Sequence, residues 1–215
     1  MAGSVVRNGY NKAAEAYLQG RDQFKNDRYL ERLTPLLEPE ATILDLGCGP
    51  GRPIDRYLVD RGFQVIGLDI SEKQIELARA NVPEGAFAVK DIGRLRAGEY
   101  RVDAVVSFYT IFHLPRGSHA RLFRTIGTFL PKGGFILVTM GSSEWEGQGS
   151  DFHGVTMWWS HYGPEKNSTI IRNAGFRIIL DEIDESGGER HQVVLAQKDA
   201  PAVSSQRSTK KGPGG

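Results

Sequence analysis

The chain has 215 residues, 40% of them hydrophobic and 25% charged, which is sufficient for one α/β domain that buries its own core without disulfides or metals. Its single cysteine excludes an internal disulfide framework and favours a reducing, cytoplasmic location. A membrane span would need roughly 18 consecutive apolar residues, and neither such a run nor the apolar core of a signal peptide is present, so we expect no membrane partner.

The last sixteen residues, 200–215, differ in composition from the rest of the chain. They contain Arg207, Lys210 and Lys211 but no acid, and they are rich in Pro, Gly and Ser. Removing those three from the 27 basic residues leaves 24 against 26 acidic ones, so the body carries about −2 while the whole chain carries +1. The body offers no broad basic face, and we expect no nucleic-acid partner. We predict a disordered tail, with a nucleic-acid or membrane role for it as the open alternative.

Two helices are predicted before the first strand. The segment Gly9–Gly20 places Tyr10 and Tyr17 near one face at helical spacing. A second amphipathic helix, over about residues 24–37, places Phe24 and four leucines toward the core. Pro35 should break or tighten its last turn.

A strand followed by a glycine-rich turn occupies residues 41–53. An apolar run at 43–46 precedes Gly47, Gly49 and Gly51. This pattern predicts a buried strand that turns sharply into a helix. Because glycine accepts positive φ and has no Cβ, a ligand can come very close to such a turn.

The details of this turn argue against a dinucleotide pyrophosphate as the ligand. The third glycine falls one position early for the dinucleotide fingerprint, and Arg52 occupies the sixth position. Asp45, two residues before the turn, would repel a phosphate but suits a ligand with an ammonium group. Asp69, about 20 positions later at the end of a predicted strand over 63–68, is placed to accept hydrogen bonds from a ribose diol. Several cofactors contain that diol, so Asp69 indicates an adenosine-containing ligand without choosing among them.

The remaining elements alternate between helices and strands. We predict helices over 53–61, 71–81, 117–130 and 164–174, and strands over 85–89, 102–108, 135–140, 176–184 and 190–198. The alternation predicts an α/β fold with a Rossmann-like doubly wound sheet of seven strands, mostly parallel with an antiparallel last strand, and helices on both faces. In such a sheet the fourth strand lies beside the first, which places Ser107, Tyr109 and His113 at the edge that carries the glycine turn.

Residues 142–163 interrupt this alternation. The segment is long for a connection and contains all three tryptophans, Trp145, Trp158 and Trp159. Long structured loops above the carboxyl end of a strand are usually functional. We predict a substrate-binding insert here, the alternative being a hydrophobic flap packed on the sheet edge.

Several motifs resemble those of the class I S-adenosylmethionine (SAM) methyltransferases. D-L-G-C-G-P-G resembles their motif I, whose loop wraps the methionine moiety of SAM. Y-N-K-A-A-E-A-Y resembles their N-terminal Y-D-x-x-A-x-x-Y segment, with Asn11 in place of the usual acid. F-H-L-P-R, L-P-K-G-G and W-x-G with M-W-W-S extend the similarity over residues 10–198 to the microbial type 11 small-molecule methyltransferases. The resemblance implies SAM as the cofactor and no metal.

The resemblance also implies a division of the chain and a set of site residues. Residues 1–40 would form an N-terminal helical lid, 41–199 the SAM-binding methyltransferase domain with a substrate-side insert at 142–163, and 200–215 the disordered tail. The implied cofactor-binding residues are Tyr17, Asp45, Gly47, Cys48, Gly49, Gly51, Asp69, Ile70, Gln74, Asp91, Ile92 and Ser107. The implied substrate-binding residues are Tyr109, Trp145, Trp158, Trp159 and His161, and the candidate catalytic residues are His113 and Tyr10.

We therefore expect methyl transfer from SAM, by in-line displacement, to an O, N or S atom of a small, partly apolar metabolite. The methyl group of a sulfonium is already activated and positioning can supply roughly 7 kcal/mol, so a general base is optional. For a weakly acidic acceptor, His113 or His161 could take the proton. The N/D-P-P-Y type motif of DNA and RNA amino-methylating enzymes is absent after the fourth strand, where the chain reads S-F-Y-T.

The expected partner is a small-molecule methyl acceptor, and the expected assembly is a monomer or a homodimer. Two alternative functions remain open at the level of the sequence. One is a non-catalytic SAM-binding interaction module, and the other is an NAD(P)-binding oxidoreductase.

Overall fold

The computed structural model describes residues 2–20 and 26–199. The predicted tail at 200–215, and Phe24 at the start of the second predicted helix, lie outside these residues.

The helices are α1 (Ala2–Gly20), α2 (Asp27–Leu33), α3 (Ile54–Asp60), α4 (Glu72–Asn81), α5 (His119–Gly127) and α6 (Pro164–Asn173). The strands are β1 (Thr42–Leu46), β2 (Gln64–Asp69), β3 (Ala86–Val89), β4 (Ala104–Ser107), β5 (Phe135–Gly141), β6 (Trp145–Phe152), β7 (Val155–His161), β8 (Phe176–Asp184) and β9 (His191–Lys198). Within the described ranges, none of the helices combines the length and apolarity needed to span a membrane.

Seven strands form one sheet in the order β3-β2-β1-β4-β5-β9-β8. The pairs among β1 to β5 are parallel, whereas β9 runs antiparallel to both β5 and β8. Consecutive residues of β1 pack on opposite faces of the sheet. Leu44 lies in a cluster with Phe123 of α5, and Ile43 lies in a cluster with Leu58 of α3. The predicted fold class, a doubly wound α/β sheet with an antiparallel last strand, is confirmed.

Helix boundaries follow local chemistry. The Ser71 hydroxyl accepts a hydrogen bond from the Gln74 N–H at 3.1 Å, so α4 begins directly after Ser71. The second predicted helix, 24–37, is longer than the helix observed. Regular helix α2 ends at Leu33 and a 3₁₀ turn covers Thr34–Leu36, because Pro35 has no N–H to continue the α-helical pattern.

The segment 142–163, expected as a structured loop, contains a β-hairpin. Strands β6 and β7 pair antiparallel as a separate two-stranded sheet. A Cβ on Gly147 would lie 3.0 Å from the Trp145 ring, and one on Gly149 would lie 3.1 Å from the Trp159 ring. The glycines therefore make room for tryptophan rings. Glycine is unfavourable in strands, so the same residues conceal the strand pattern in the sequence.

Helix α1 packs against β7 of the hairpin and against α4. It begins at Ala2, well before the predicted start at Gly9. At Gly9 a Cβ would lie 2.7 Å from Cε of the buried Met157 and 3.2 Å from the carbonyl oxygen of Thr156. The helix can approach the hairpin this closely because position 9 has no side chain.

Gly3→Ala and Gly9→Ala form a matched pair that tests this packing. Within a helix, replacing glycine by alanine stabilises by about 1 kcal/mol. Gly3 is the second residue of α1, where the gain is smaller than in the helix interior, and the nearest atom to its new Cβ would be 3.7 Å away, so Gly3→Ala should be neutral or slightly stabilising. At Gly9, overpacking that typically costs about 1–3 kcal/mol should cancel or reverse the gain. Urea titrations should therefore give a lower free energy of unfolding for Gly9→Ala than for Gly3→Ala, and equal values would show that the close approach is absent.

Candidate functional site

The glycine turn after β1 is held to the end of β2 by backbone hydrogen bonds. The N–H groups of Gly47 and Cys48 both donate to the carbonyl oxygen of Leu68, at 2.7 and 3.0 Å. Gly47 has a φ of +84°, and a Cβ there would overlap the side chain of Thr110. Glycine is thus required at position 47 both for backbone conformation and for space.

Asp69 lies at the end of β2 and organises the loops around it. Its Oδ2 accepts a hydrogen bond from the Gly49 N–H at 3.0 Å, and its Oδ1 accepts one from the Ser71 N–H at 2.8 Å. Burial raises the pKa of Asp69 to about 6, while the backbone N–H groups act in the opposite direction. A carboxylate has about four acceptor positions, so Asp69 retains capacity to accept from a ligand hydroxyl in the cavity that it lines.

A cavity of about 750 Å³ opens beside the glycine turn, and we call it the first cavity. The predicted cofactor residues that line it are Tyr17, Gly47, Gly49, Asp69, Ile70, Asp91 and Ile92. Residues that sequence reasoning missed also line it, among them Gly3, Ser4, Val6, Arg7, Thr110, Leu114 and Arg121. The helical spacing of Tyr10 and Tyr17, continued toward the N-terminus, would have identified Gly3 and Val6.

The other predicted cofactor residues do not line the first cavity. They lie buried behind its wall and are Asp45, Cys48, Gly51, Gln74 and Ser107. The Ser107 hydroxyl donates to the carbonyl oxygen of Leu46 at 2.7 Å and so joins β4 to β1. A residue that is close to the glycine turn in the sequence can therefore point either toward the cavity or toward the core.

Asp45 and Asp55 form a buried acidic pair beneath the glycine turn, with exposures of 2% and 0%. Burial and the neighbouring Asp45 carboxylate raise the pKa of Asp55 well above its usual range.

A second cavity, of about 630 Å³, lies beside the first and is lined by the hairpin, by α1 and by the ends of several sheet strands. The predicted substrate residues Tyr109, Trp145, Trp159 and His161 line it. Trp158 does not, because adjacent residues of a strand point to opposite faces. Phe112 and, from the predicted insert, Phe152 and His153 also line it, together with three residues that the sequence did not indicate, Glu189, Arg190 and His191. The last three come from the β8–β9 connection and the start of β9, which only the folded sheet brings here.

Tyr10, Tyr17 and His113 line both cavities. The Tyr10 hydroxyl is 2.9 Å from Nε2 of His113, and Nδ1 of His113 is 2.6 Å from the carbonyl oxygen of Trp158. Burial lowers the pKa of His113 to about 4, so its imidazole is neutral at pH 7. Among the residues that the structure describes, the His, Cys, Asp and Glu side chains form no group of three placed to hold a metal ion.

Comparison with known proteins places this geometry among the methyltransferases. A family profile described as "Methyltransferase domain" matches residues 43–134. Trans-aconitate 2-methyltransferase of Methylobacterium radiotolerans is 36% identical over 48% of this chain and 39% of its own length. The 27-O-demethylrifamycin SV methyltransferase of Amycolatopsis mediterranei is 31% identical over 63% of this chain and 53% of its own length. A probable 18S rRNA (guanine-N(7))-methyltransferase of Dictyostelium discoideum is 29% identical, over 54% and 48% respectively. The chain thus spans about half the length of these curated relatives.

Solved structures share the fold. The magnesium protoporphyrin IX methyltransferase of Synechocystis PCC 6803, crystallised with bound SAM, superposes with a TM-score of 0.68 at 15% identity. The match covers 93% of this chain and 98% of that one.

Gly47→Ala and Gly62→Ala separate backbone conformation from crowding at the turn. Their φ values are +84° and +85°, but a Cβ at Gly62 would meet nothing within 4 Å. Gly62→Ala should cost about 1–2 kcal/mol from the left-handed conformation alone. Gly47→Ala should cost about 1–3 kcal/mol more, because the new methyl group overlaps Thr110. Free energies of unfolding from urea titrations measure the difference, and equal losses would contradict the tight packing of the turn.

Proposed function

Because the chain belongs to the class I SAM-dependent methyltransferase family, we propose that it methylates an O, N or S atom of a small, partly apolar molecule bound in the second cavity. SAM is the cofactor of this family, which removes the NAD(P)-binding oxidoreductase from consideration. The observation that carries the proposal is the junction of the two cavities. Tyr10, Tyr17 and His113 belong to both linings, so a donor in the first cavity and an acceptor in the second would meet there.

The residues of the first cavity fit SAM. Gly47 and Gly49 of the glycine turn line this cavity, and Asp69 offers acceptor positions for a ribose diol. Ile70 and Ile92 provide apolar walls for an adenine ring, and Asp91 provides an acceptor for its amino group. In our proposal the buried acid Asp45, two residues before the glycine turn, favours the methionine ammonium group electrostatically.

When bound, SAM supplies a methyl group that its sulfonium has already activated for displacement. The contribution of this chain is then to hold the acceptor in line and to exclude water. Helix α1 and the hairpin carry out both tasks in our proposal, as a cover that places Tyr10, Tyr17, Phe152 and Trp159 around the second cavity. Residues 1–40 would thus act as the N-terminal helical lid, and 142–163 as the substrate-side insert.

Two further points about the acceptor and the assembly are part of the proposal. One relative is named as an rRNA methyltransferase, but the second cavity of this chain is lined mainly by rings, which suits a small flat molecule better than a phosphate backbone. We propose a monomer or homodimer that acts without nucleic acid. A non-catalytic SAM-binding module would lack methyl transfer to any acceptor.

SAM binding through Asp69 is tested by Asp69→Ala. A hydrogen bond between a hydroxyl and a charged group is worth about 1.5–3 kcal/mol, so SAM affinity should fall roughly ten- to a hundredfold. Isothermal titration calorimetry measures the affinity, and circular dichroism checks that the variant is folded. Asp60→Ala, which removes an exposed acid from α3, serves as the control and should bind SAM as the wild type does. Unchanged affinity in folded Asp69→Ala would refute the assignment.

The acceptor site is tested by transfer of tritium from methyl-labelled SAM to a pool of small metabolites, followed by the matched variants Trp159→Phe and Trp158→Phe. Trp159 lines the second cavity and Trp158 does not. We expect Trp159→Phe to raise the acceptor KM or lower kcat more than Trp158→Phe does, while SAM affinity stays within about threefold in both. Absence of labelled product, with SAM bound, would favour the non-catalytic module. Equal effects of the two variants would place the acceptor elsewhere.

A further inference from the structure

The hydrogen bonds of His113 fix which of its nitrogens carries the proton. His113 lies in a short 3₁₀ turn, Ile111–His113, and is 6% exposed. Its Nδ1 faces the carbonyl oxygen of Trp158 at 2.6 Å. A carbonyl oxygen can only accept, so Nδ1 must donate. In a neutral imidazole, Nε2 is then unprotonated, and the Tyr10 hydroxyl at 2.9 Å donates its hydrogen to it.

The imidazole stays neutral under ordinary conditions. Burial lowers the pKa of His113 to about 4, and the neighbouring His161 and His191 act in the same direction. The Nε2 lone pair is therefore available throughout the neutral range. The residue that it accepts from, Tyr10, lines the second cavity as well as the first. A phenol oxygen that donates one hydrogen bond can still accept another, in this case from a group in the cavity.

The walls of the second cavity indicate the shape of the molecule that would donate to Tyr10. Rings come from α1, from the segment after β4, from the hairpin and from β9, and they include Tyr109, Phe112, Phe152, Trp145, Trp159 and His191. Tyr10 and Phe152 meet edge to face with ring centroids 5.4 Å apart, and Trp145 and Trp159 do so at 6.1 Å. Walls of this kind bind a flat aromatic molecule by stacking and by edge contacts.

We propose that Tyr10, His113 and the Trp158 carbonyl form a proton relay, and that the methyl acceptor is a phenol or a related aromatic hydroxyl. This inference rests on the proposed function and extends it to one class of acceptor. The acceptor proton moves to the Tyr10 oxygen, the Tyr10 proton moves to His113 Nε2, and the Trp158 carbonyl stabilises the resulting imidazolium through Nδ1–H. The acceptor oxygen keeps the electron pair of its O–H bond and uses it to bond the incoming methyl group.

The charge balance of the proposed reaction explains how His113, a weak base, can take up the proton. The methyl donor brings one positive charge into the site, and the products are a neutral thioether, a neutral ether and an imidazolium. The total charge in the buried site is unchanged, so the reaction adds no net desolvation cost of the kind that an extra buried ion would impose. The low basicity of His113 means that the proton moves as the new bond forms rather than before it.

The first test is spectroscopic and needs no acceptor. In protein labelled with ¹⁵N-histidine, His113 should appear at pH 7 as the neutral Nδ1–H tautomer. Tyr10→Phe, which removes only the hydroxyl, should shift the Nε2 resonance and leave the tautomer unchanged. A protonated ring or the Nε2–H tautomer at pH 7 would overturn the relay.

The second test uses 4-methylphenol, protonated at about pH 8 because its pKa is near 10 as in tyrosine, and 4-nitrophenol, which is largely ionised there. His113→Asn keeps a donor toward the Trp158 carbonyl but removes Nε2. We expect this variant, and Tyr10→Phe, to lose about a hundredfold in kcat/KM with 4-methylphenol and less than about tenfold with 4-nitrophenol. Equal losses with both phenols would assign these residues a structural role and overturn the relay.

The design separates this inference from the proposed function. If calorimetry shows that the wild type does not bind SAM, the proposed function itself is wrong. Wild type that binds SAM but methylates neither phenol would overturn the aromatic hydroxyl class and leave methyl transfer to another acceptor intact. Thermal melts of His113→Asn and Tyr10→Phe identify any loss that comes from unfolding, and in that case the tautomer measurement on the wild type decides.

Discussion

The contact between Gly47 and Thr110 positions both halves of the site. Thr110 fills the space that a side chain at position 47 would take, so the turn after β1 lies directly against the segment after β4. On one side of this contact the Gly49 N–H reaches the Asp69 carboxylate at 3.0 Å, and the first cavity forms there. On the other side the segment continues into the 3₁₀ turn that carries His113. The missing Cβ at Gly47 therefore lets the turn that borders the first cavity lie directly against the segment that leads to His113.

The sequence predicted those parts of the site that consecutive residues build by themselves. The glycine turn follows from three glycines after an apolar run, and Asp69 follows from its place at the end of a strand. Other features depend on long-range packing. Trp158 and Trp159 are neighbours of the same type, and only the pairing of β6 with β7 determines that Trp159 faces the second cavity. His191 joins the same cavity because β9 inserts between β5 and β8, and no local pattern encodes that neighbourhood.

Charged and titratable groups in the two cavities bear on the chemistry proposed for each. The first cavity is lined by the acids Asp69 and Asp91 and by the bases Arg7, Lys90, Arg94 and Arg121, so it offers partners for both the cationic groups and the carboxylate of SAM. The burial of His113 keeps its imidazole uncharged at the junction with the second cavity. A neutral imidazole can take a proton, whereas an imidazolium at this place would repel the methyl donor and could accept nothing. In the proposed reaction, the burial of His113 would serve both the binding of the donor and the activation of the acceptor.

In the proposed function, the contacts between α1 and the hairpin would favour small acceptors. Tyr10 and Tyr17 of α1 contact Phe152 of the hairpin, with ring centroids 5.4 and 6.0 Å apart. Such pairs contribute about 0.5–1.5 kcal/mol each beyond their buried area, and the packing of Gly9 on Met157 joins the same two elements. In the proposed site, a polymer that entered by separating α1 from the hairpin would lose these contacts together. A small aromatic molecule occupies the second cavity without that loss, and its own ring can add stacking contacts with the cover. This difference in binding free energy is the reason why we propose a small acceptor.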